Sequence, residues 1–305
     1  MTLIPNISPA AGWLKTPEAV AKLASLGLPE IAIGTFSLRR RAGNSGDTYY
    51  PDDLAPLNSM GVPSEDFDWV CDHFKEYVEA AGGSTLRFSI APFGEGDLCH
   101  MVRRLRDLSR RYNVRIIIEV NLSCPNVWGA TGQKTIISYV PSLVDKAFCE
   151  VDEGLDGSFI PVAVKFSPQF DSGLVGQLVD LCGKFGIYEI AAINTVPNAT
   201  LFDLETKRTV IYARPEGGEG LIQLGGYSGP GVLPIAVGNI FMFKQAILAR
   251  SRPILLKGIG GINDGSSLRQ HQLAGADSFA VGFHAMKYGP KVFPEIVEDY
   301  LTKYD

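Results

Sequence analysis

The sequence predicts an α/β protein with the (β/α)8 fold of a TIM barrel. Short apolar runs alternate with longer segments of helical periodicity through most of the chain, and polar residues or glycines follow the ends of several runs. Apolar runs bounded by Gly, Pro, Asn or Ser are typical of strands buried on both faces of a parallel sheet. The helical segments supply the crossover connections that such a sheet requires. The 305 residues suffice for one barrel of roughly 250 residues or more, so we expect residues 1–305 to form a single domain.

Seven strands are visible as separate runs, and an eighth is expected near Ile4–Ile7. The seven runs are Glu30–Ile33, Thr85–Ile90, Ile116–Leu122, Val162–Phe166, Glu189–Asn194, Ile254–Lys257 and Ser278–Val281. The predicted helices between them include Asp97–Arg111, Ile137–Val151, Gly173–Phe185, Pro234–Arg250 and Tyr288–Tyr304. A further helix is predicted after Ser64, and its apolar face is expected to pack in the core. That face consists of Phe67, Val70, Phe74 and Tyr77.

An open, doubly wound sheet is the alternative architecture. Its usual G-x-G-x-x-G fingerprint after the first strand is absent, which favours the barrel. The longest irregular segments are Arg39–Val62 and Thr195–Gly231. Loops of this length inside a compact domain are often functional, so we expect both to contribute to a site.

The composition excludes several classes of protein. With 46% hydrophobic and 20% charged residues the chain is globular, and a net charge of −5 argues against a nucleic-acid or anionic membrane surface. No export signal is visible, and no stretch approaches the roughly 20 apolar residues of a membrane span. The five cysteines form no C-x-x-C pair and the four histidines share no ligand spacing, so no metal or iron–sulfur site is expected. These features predict a reduced, cytoplasmic protein.

The densest polar segment is Asn121-Leu122-Ser123-Cys124-Pro125-Asn126, which follows the predicted strand at Ile116. Barrel enzymes place their chemistry at the carboxyl ends of strands. A thiol there can act as a base or nucleophile once its thiolate is favoured, and the asparagines can bind a planar polar ligand. The alternative interpretation is an ordinary turn, because Asn, Ser and Pro are turn formers.

Two neighbouring strands also end in polar groups. Lys165 lies within the apolar run Val162–Phe166, where an unpaired charge is costly to bury, so we expect an anionic partner such as a carboxylate or a cofactor edge. Snorkelling to the barrel mouth is the alternative. Asn194 and Thr195 end the next run in the same way. Three consecutive strands with polar ends indicate one shared site.

Glycines follow the last two predicted strands, at Gly258–Gly261 and at Gly282 beside Phe283. Barrels often bind a phosphate after strands seven and eight, where glycine lets backbone amides approach an anion. We therefore predict a phosphate-bearing cofactor or substrate. Gly225–Gly229 is a candidate third backbone contact, with a flexible loop as the alternative. His284 in the last loop is a candidate to approach the phosphate, with a solvated or helix-capping role as the alternative.

Taken together, these motifs resemble the class 1 dihydroorotate dehydrogenases, FMN enzymes of the (β/α)8 fold. The resemblance runs from about Pro9 to Pro290 and depends on Asn58-Ser59-Met60-Gly61, the Asn121–Asn126 string, Lys165, Asn194, Gly258–Gly261 and Val281-Gly282. It implies a single FMN-binding barrel that oxidises dihydroorotate to orotate in pyrimidine biosynthesis. It also implies a soluble electron acceptor or a partner subunit, and a homodimer.

The resemblance implies specific roles for the candidate residues. Cys124 is the expected base, removing a proton while hydride passes to flavin N5, and Lys165 is expected at the flavin N1–O2 edge. The implied substrate-binding residues are Asn58, Asn121, Asn126, Asn194 and Thr195. The implied cofactor-binding residues, besides Lys165, are Ala10, Ala11, Gly226, Gly260, Gly261, Gly282 and Phe283.

One departure from the family concerns a lysine that follows the second strand and approaches the flavin and the orotate carboxylate. Gly34 takes its place here, in Ile33-Gly34-Thr35-Phe36-Ser37-Leu38, and one of Arg39–Arg41 is a candidate to replace its charge. Gly34 and the Asn194-Thr195-Val196 sequence also favour a second hypothesis, in which an FMN dehydrogenase or ene-reductase acts on an uncharged dihydropyrimidine or other cyclic amide. A third hypothesis is a barrel that binds FMN without turnover, against which Cys124 among its asparagines argues.

Overall fold

The computed structural model describes residues 5–129, 132–133 and 135–304. Its central element is a sheet of eight parallel strands, which we number in chain order. The strands are β1 (Ile7–Pro9), β2 (Glu30–Phe36), β3 (Thr85–Ile90), β4 (Ile116–Asn121), β5 (Val162–Phe166), β6 (Glu189–Ala192), β7 (Leu255–Ile259) and β8 (Ser278–Val281). Each strand from β2 to β8 pairs with the next, and β8 pairs with β1.

The sheet curves into a nearly closed barrel. The remaining edge, between β1 and β2, is bridged just beyond β1, where Gly12 donates its amide to Gly34 O at 2.7 Å and Gly34 donates to Leu14 O at 2.8 Å. The predicted barrel is therefore confirmed, and the open sheet is not formed. The strand expected near Ile4–Ile7 is β1, which begins at Ile7 and ends at Pro9. Ile4 lies outside the described residues.

Helices pack around the barrel at nearly the predicted positions. They are α1 (Pro17–Ala24), α2 (Phe67–Asp72), α3 (Phe74–Ala80), α4 (Asp97–Tyr112), α5 (Pro141–Leu155), α6 (Ser172–Lys184), α7 (Leu233–Ala249), α8 (Gly265–Ala274), α9 (Phe283–Tyr288) and α10 (Val292–Tyr304). The helix predicted after Ser64 is divided at His73 into α2 and α3, and its aromatic face is buried as expected. The helix predicted at Tyr288–Tyr304 is shorter than expected, because Tyr288 is the last residue of α9 and α10 begins at Val292. Gly289, with φ of 85°, ends α9.

The expectation that no segment is long and apolar enough to span a membrane is wrong for one helix. Residues Pro230–Ala249 reach the required length, with a mean hydropathy of 1.6. The helix has another reason to be apolar, because Ala236, Ile240 and Phe243 on one face are completely buried in the barrel core.

The two long irregular segments meet over the carboxyl ends of the strands. Leu57–Asn58 pairs with Gly225–Tyr227, which also pairs with Val196–Ala199. A second ladder joins Ser45–Asp47 to Tyr212–Arg214. The resulting cover holds Asn58 over the barrel, because Gly226 is its partner in the ladder.

The lower part of the barrel interior is filled by charged side chains. We call Glu30, Arg87, Glu119, Glu189 and Lys257 the lumen cluster. Arg87 of β3 donates to Glu30 at 2.7 Å and to Glu189 at 2.6 Å, and Lys257 donates to Glu30 at 2.8 Å. β3 and β6 are not neighbours in the sheet, so the Arg87–Glu189 contact must cross the interior of the barrel.

Candidate active site

Two adjoining cavities open at the carboxyl ends of the strands. One, the glycine cleft, has a volume of about 660 Å³ and is lined by Gly260, Gly261, Gly282 and Phe283 among others. The other, the thiol pocket, has a volume of about 540 Å³ and contains Cys124. Ala11, Lys165, Asn194 and Thr195 line both cavities and form their common wall.

The thiol pocket is built around the turn that follows β4. Asn121 Oδ1 accepts hydrogen bonds from Ser123 N at 3.2 Å and from Ser123 Oγ at 2.8 Å, which reverses the chain immediately after the strand. The turn interpretation of this segment is therefore correct, and it does not compete with a functional one. The turn places Cys124 in the wall of the thiol pocket.

Hydrogen bonds between amide side chains fix the polar wall of the pocket. Asn126 Nδ2 donates to Asn58 Oδ1 at 2.8 Å, and Asn58 Nδ2 donates to Gly226 O at 3.3 Å. Asn194 Nδ2 donates to Ser123 Oγ at 2.9 Å, and Asn121 Nδ2 donates to the hydroxyl of Thr35 at 3.0 Å. All four predicted asparagines thus lie in one pocket, with their orientations set before any ligand enters.

Cys124 lies in a setting that favours the neutral thiol. Burial raises the pKa of Cys124, and the nearby charges of Lys165, Arg41 and Lys15 only partly oppose this effect. All five cysteines, including Cys124, are free thiols. A thiol with a raised pKa is a strong base once deprotonated, although little thiolate is present at neutral pH.

Lys165 projects from β5 into the common wall. It is 5% exposed, and among the described residues its ammonium donates to Ala11 O alone, at 3.3 Å. Burial lowers the pKa of Lys165, opposed by the charge of Glu119. The expected carboxylate partner is not found among the described residues, so Lys165 is a buried cation with spare hydrogen-bonding capacity that faces both cavities.

Sequence reasoning missed a second lysine of the thiol pocket. Lys15 follows β1, and its Nζ donates to Thr35 O at 2.6 Å and to Pro63 O at 2.7 Å. Its loop lies at the carboxyl end of a strand, which is the signal that could have identified it. The arginines proposed to replace the charge lost at Gly34 do not line the pocket: Arg39 and Arg40 are exposed. Arg41 pairs with Glu216 at 2.9 Å.

The glycine cleft presents unpaired backbone amides. Gly260 and Gly261 have φ of 115° and 76°, which the absence of a side chain permits. Within the described chain, the amides of Gly260, Gly261, Gly282 and Phe283 donate no hydrogen bond. A Cβ on Gly261 would lie 2.6 Å from Leu233 Cβ, so this turn packs directly on α7. These amides are candidate anion donors.

A buried histidine supports the same turn. His271 Nε2 lies 2.9 Å from Gly260 O, and burial lowers the pKa of His271 to about 4. The ring is therefore neutral at physiological pH and donates from Nε2. His284 lines the glycine cleft.

Ala10 and Ala11 also line the glycine cleft, with Ile193 and Val232. Gly226 does not line it; the next three residues, Tyr227, Ser228 and Gly229, do. A Cβ on Gly226 would lie 2.0 Å from Thr195 Oγ1, so this glycine lets the cover approach the common wall.

A family model described as dihydroorotate dehydrogenase matches residues 1–303. The chain belongs to the dihydroorotate dehydrogenase family. It is 29% identical over 265 residues to dihydroorotate dehydrogenase A (fumarate) of Lactococcus lactis subsp. lactis, covering 86% of this chain and 78% of that protein. It is 30% identical over 259 residues to dihydroorotate dehydrogenase (fumarate) of Lachancea kluyveri, covering 84% and 76%.

The fold is also that of a solved DHODH structure, from Eimeria tenella in complex with ferulenol. The TM-score is 0.74 at 18% sequence identity, over 97% of this chain and 80% of the other. The predicted family, its barrel and its class of oxidoreductase are thus confirmed. Dihydroorotate dehydrogenases depend on a flavin.

Proposed function

We propose that this chain is an FMN-dependent enzyme that oxidises dihydroorotate to orotate in pyrimidine biosynthesis. The observation that carries the proposal is the common wall: a pocket with a thiol and four asparagines adjoins a cleft with unpaired glycine amides, and Lys165 lies between them. A redox cofactor and its substrate must be in contact, and two cavities with a shared wall meet that requirement. The whole of residues 1–305 then serves as one FMN-binding domain.

The residues of the glycine cleft fit FMN. The amides of Gly260, Gly261, Gly282 and Phe283 suit a phosphate, because unpaired N–H groups are anion donors. The small side chains of Ala10 and Ala11 leave room for a flat ring. Two buried polar groups in the common wall have hydrogen-bonding capacity that a ring edge can use. Among the described residues, Thr195 Oγ1 has no hydrogen-bond partner, and the Lys165 ammonium has one, a backbone carbonyl.

FMN, when bound, supplies the acceptor for the hydride that leaves the substrate. Cys124 takes the proton from the adjacent carbon, because its thiol lies in the wall of the thiol pocket. Asn58, Asn121, Asn126 and Asn194 hold the pyrimidine, because each amide side chain offers a donor and an acceptor to ring carbonyl and N–H groups. Lys165 stabilises negative charge that develops at the common wall.

The remaining parts of the proposal concern the setting of the reaction. The curated relatives are named as fumarate enzymes, so a soluble acceptor such as fumarate is proposed here. A cytoplasmic location and a homodimer complete the proposal. Sedimentation of the FMN-loaded protein measures the oligomeric state directly.

The second candidate function, oxidation or reduction of an uncharged cyclic amide, is favoured by Gly34. That position carries no side chain, and a Cβ there would lie 2.4 Å from Ser89 O. The lysine that the family carries at this position is therefore absent. Its loss is consistent with a ligand that has no carboxylate.

The experiment that tests the proposal is an anaerobic titration of the FMN-reconstituted protein. We expect a yellow protein whose flavin absorbance is bleached by dihydroorotate and restored by fumarate. Dihydrouracil is the matched control, since it differs only by the absence of the carboxylate. A protein that cannot be reconstituted with FMN contradicts the proposal, and bleaching by dihydrouracil alone establishes the second candidate.

Replacing the thiol tests the assignment of the base. Cys124→Ser should retain FMN but slow flavin reduction by dihydroorotate about 10²- to 10⁴-fold, because the hydroxyl is a far weaker base. Stopped-flow absorbance measures the rate. Cys149→Ser is the matched control, since Cys149 is exposed and lies outside both cavities. Equal rates for Cys124→Ser and the control would refute the assignment.

A further inference from the structure

Among the residues that the structure describes, the thiol pocket is lined by two ammonium groups and no carboxylate. Its lining residues include Lys15 and Lys165 but no Asp or Glu. Within the described chain, Lys15 makes no ion pair, and its hydrogen-bond acceptors are the neutral carbonyls of Thr35 and Pro63. An ammonium has three N–H groups, so one remains for a ligand. The pocket therefore has an excess of positive charge that the protein itself does not neutralise.

Lys15 is held rigidly in this position. Its backbone carbonyl accepts a hydrogen bond from the Tyr77 hydroxyl at 2.5 Å, and the next residue, Thr16, caps α1. The ammonium lies 5.7 Å from the centre of the Phe36 ring, and the two carbonyl contacts fix its other side. A preorganised cation binds an anion without further loss of side-chain freedom.

The pocket wall near Lys15 has a second feature suited to an anion. Gly61 and Val62 have φ of 74° and 58°, and neither amide donates a hydrogen bond within the described chain. Consecutive backbone amides in such conformations form concavities that bind anions. A left-handed conformation is costly for a β-branched residue such as Val62, and strain of this kind is concentrated at functional sites.

The two lysines differ in which cavity they serve. Lys165 lines both the glycine cleft and the thiol pocket, whereas Lys15 lines only the thiol pocket. Lys165 thus faces both the cofactor and the substrate of the proposed function, whereas Lys15 faces the substrate alone. Gly34, the strand position that lacks a side chain, donates its amide to Leu14 O. Lys15 is the next residue after Leu14, so its backbone lies close to Gly34.

We propose that Lys15 binds the carboxylate of the substrate and makes this pocket selective for a carboxylated pyrimidine over an uncharged one. The inference rests on the proposed function, which it deepens. Lys15 supplies from the loop after β1 the charge that Gly34 cannot supply from β2. The missing lysine at position 34 is then no reason to assign an uncharged substrate.

The test compares orotate with uracil, which differs only in lacking the carboxylate. Calorimetric titration of each ligand into the FMN-loaded protein gives both dissociation constants. Lys15→Met should weaken orotate binding about 10- to 100-fold, the range of a charge-assisted contact, and leave uracil binding within about twofold. Lys22→Met is the matched control, an exposed lysine on α1 that should change neither constant.

The outcomes separate this inference from the proposed function. If the unmodified protein binds orotate and Lys15→Met binds it equally well, the inference is wrong and the proposed function stands. An equal loss of both ligands would show a purely structural role and also overturn the inference. If the unmodified protein binds neither ligand, the proposed function fails and the inference fails with it. Should Lys15→Met not fold, Lys15→Gln replaces it, because the glutamine amide can still donate to Thr35 O. The measured quantity is again the ratio of the orotate and uracil dissociation constants.

Discussion

The barrel buries charge in two regions that treat it differently. In the lumen cluster every cation has a carboxylate partner: Lys257 contacts Glu30, and Arg87 contacts three glutamates. At the mouth, the ammonium groups of Lys165 and Lys15 donate their hydrogen bonds, within the described chain, to backbone carbonyls. Both regions belong to the same barrel, and Lys257 and Lys165 are both almost fully buried.

This difference separates structural charge from functional charge. Burial alone would raise the pKa of Glu30, yet Arg87 and Lys257 hold it well below its ordinary value. Burial lowers the pKa of Lys165 and Lys15 because no protein carboxylate opposes it fully. A charge that is paired within the protein belongs to the folded structure, whereas an unpaired buried charge is typical of a site where a bound ligand supplies the opposite charge.

The largest effect on stability is expected in the lumen. Lys257→Met should lower the free energy of unfolding by about 3–5 kcal/mol, because it leaves three carboxylates facing one guanidinium. Urea denaturation of the FMN-free proteins measures this, since bound ligand would add to stability. A loss below about 1 kcal/mol would mean that the lumen cluster does not depend on its charge balance.

A lysine-to-methionine substitution at the mouth should change the rate of flavin reduction rather than the stability. Lys165→Met should leave the free energy of unfolding unchanged or slightly raised, because it removes a buried charge that lacks a carboxylate partner. Flavin reduction by dihydroorotate should slow about 10²- to 10³-fold, the effect of losing one preorganised stabiliser of developing charge. If the two lysine variants are destabilised alike, the distinction between lumen and mouth is wrong.

A smaller effect is expected from pH. Burial lowers the pKa of Lys15 to about 8, opposed by Cys124, and a bound carboxylate would raise it again. Orotate should therefore bind most tightly below about pH 8 and weaken up to about tenfold per unit above it, as Lys15 loses its proton. Cys124 and Tyr77 stay neutral in this range, because burial raises the pKa of both groups. Burial also lowers the pKa of Lys165 in the same pocket, so the Lys15→Met variant is titrated in parallel to separate the two lysines.

Calorimetric titration of orotate from about pH 7 to about pH 9 measures this dependence. Uracil serves as the reference over the same range, since it has no carboxylate. A constant ratio of the two affinities would exclude Lys15 as the titrating group.

Much of the fold followed from local pattern. The bounds of β3, β5 and β8 are those predicted, because short, largely apolar runs between turn formers leave few alternatives to a buried strand. The cover over the barrel did not follow, since Leu57–Asn58 and Gly225–Tyr227 are too short to show a period and pair across a long stretch of chain. Short ladders of this kind depend on their partners rather than on their own sequence.

Much of the candidate site was also predictable, because its residues follow strands directly in the chain. Asn121, Cys124, Lys165 and Asn194 all line the thiol pocket, as the polar ends of three consecutive strands indicated. Lys15 was not predicted, since a lysine in a loop is usually solvated and only the contacts with Thr35 and Pro63 show otherwise. The partner of a charge is a property of three-dimensional packing.

The sequence by itself determined the barrel, the family and the thiol loop, because strand period and strand-end residues are local in the chain. Only the tertiary structure decided which buried charges are paired. Arg87 meets Glu189 at a separation of 102 residues, and Lys257 meets Glu30 at a separation of 227. Contacts over such distances exist only once the barrel has closed, and the described part of the closed barrel pairs Lys15 and Lys165 with no carboxylate.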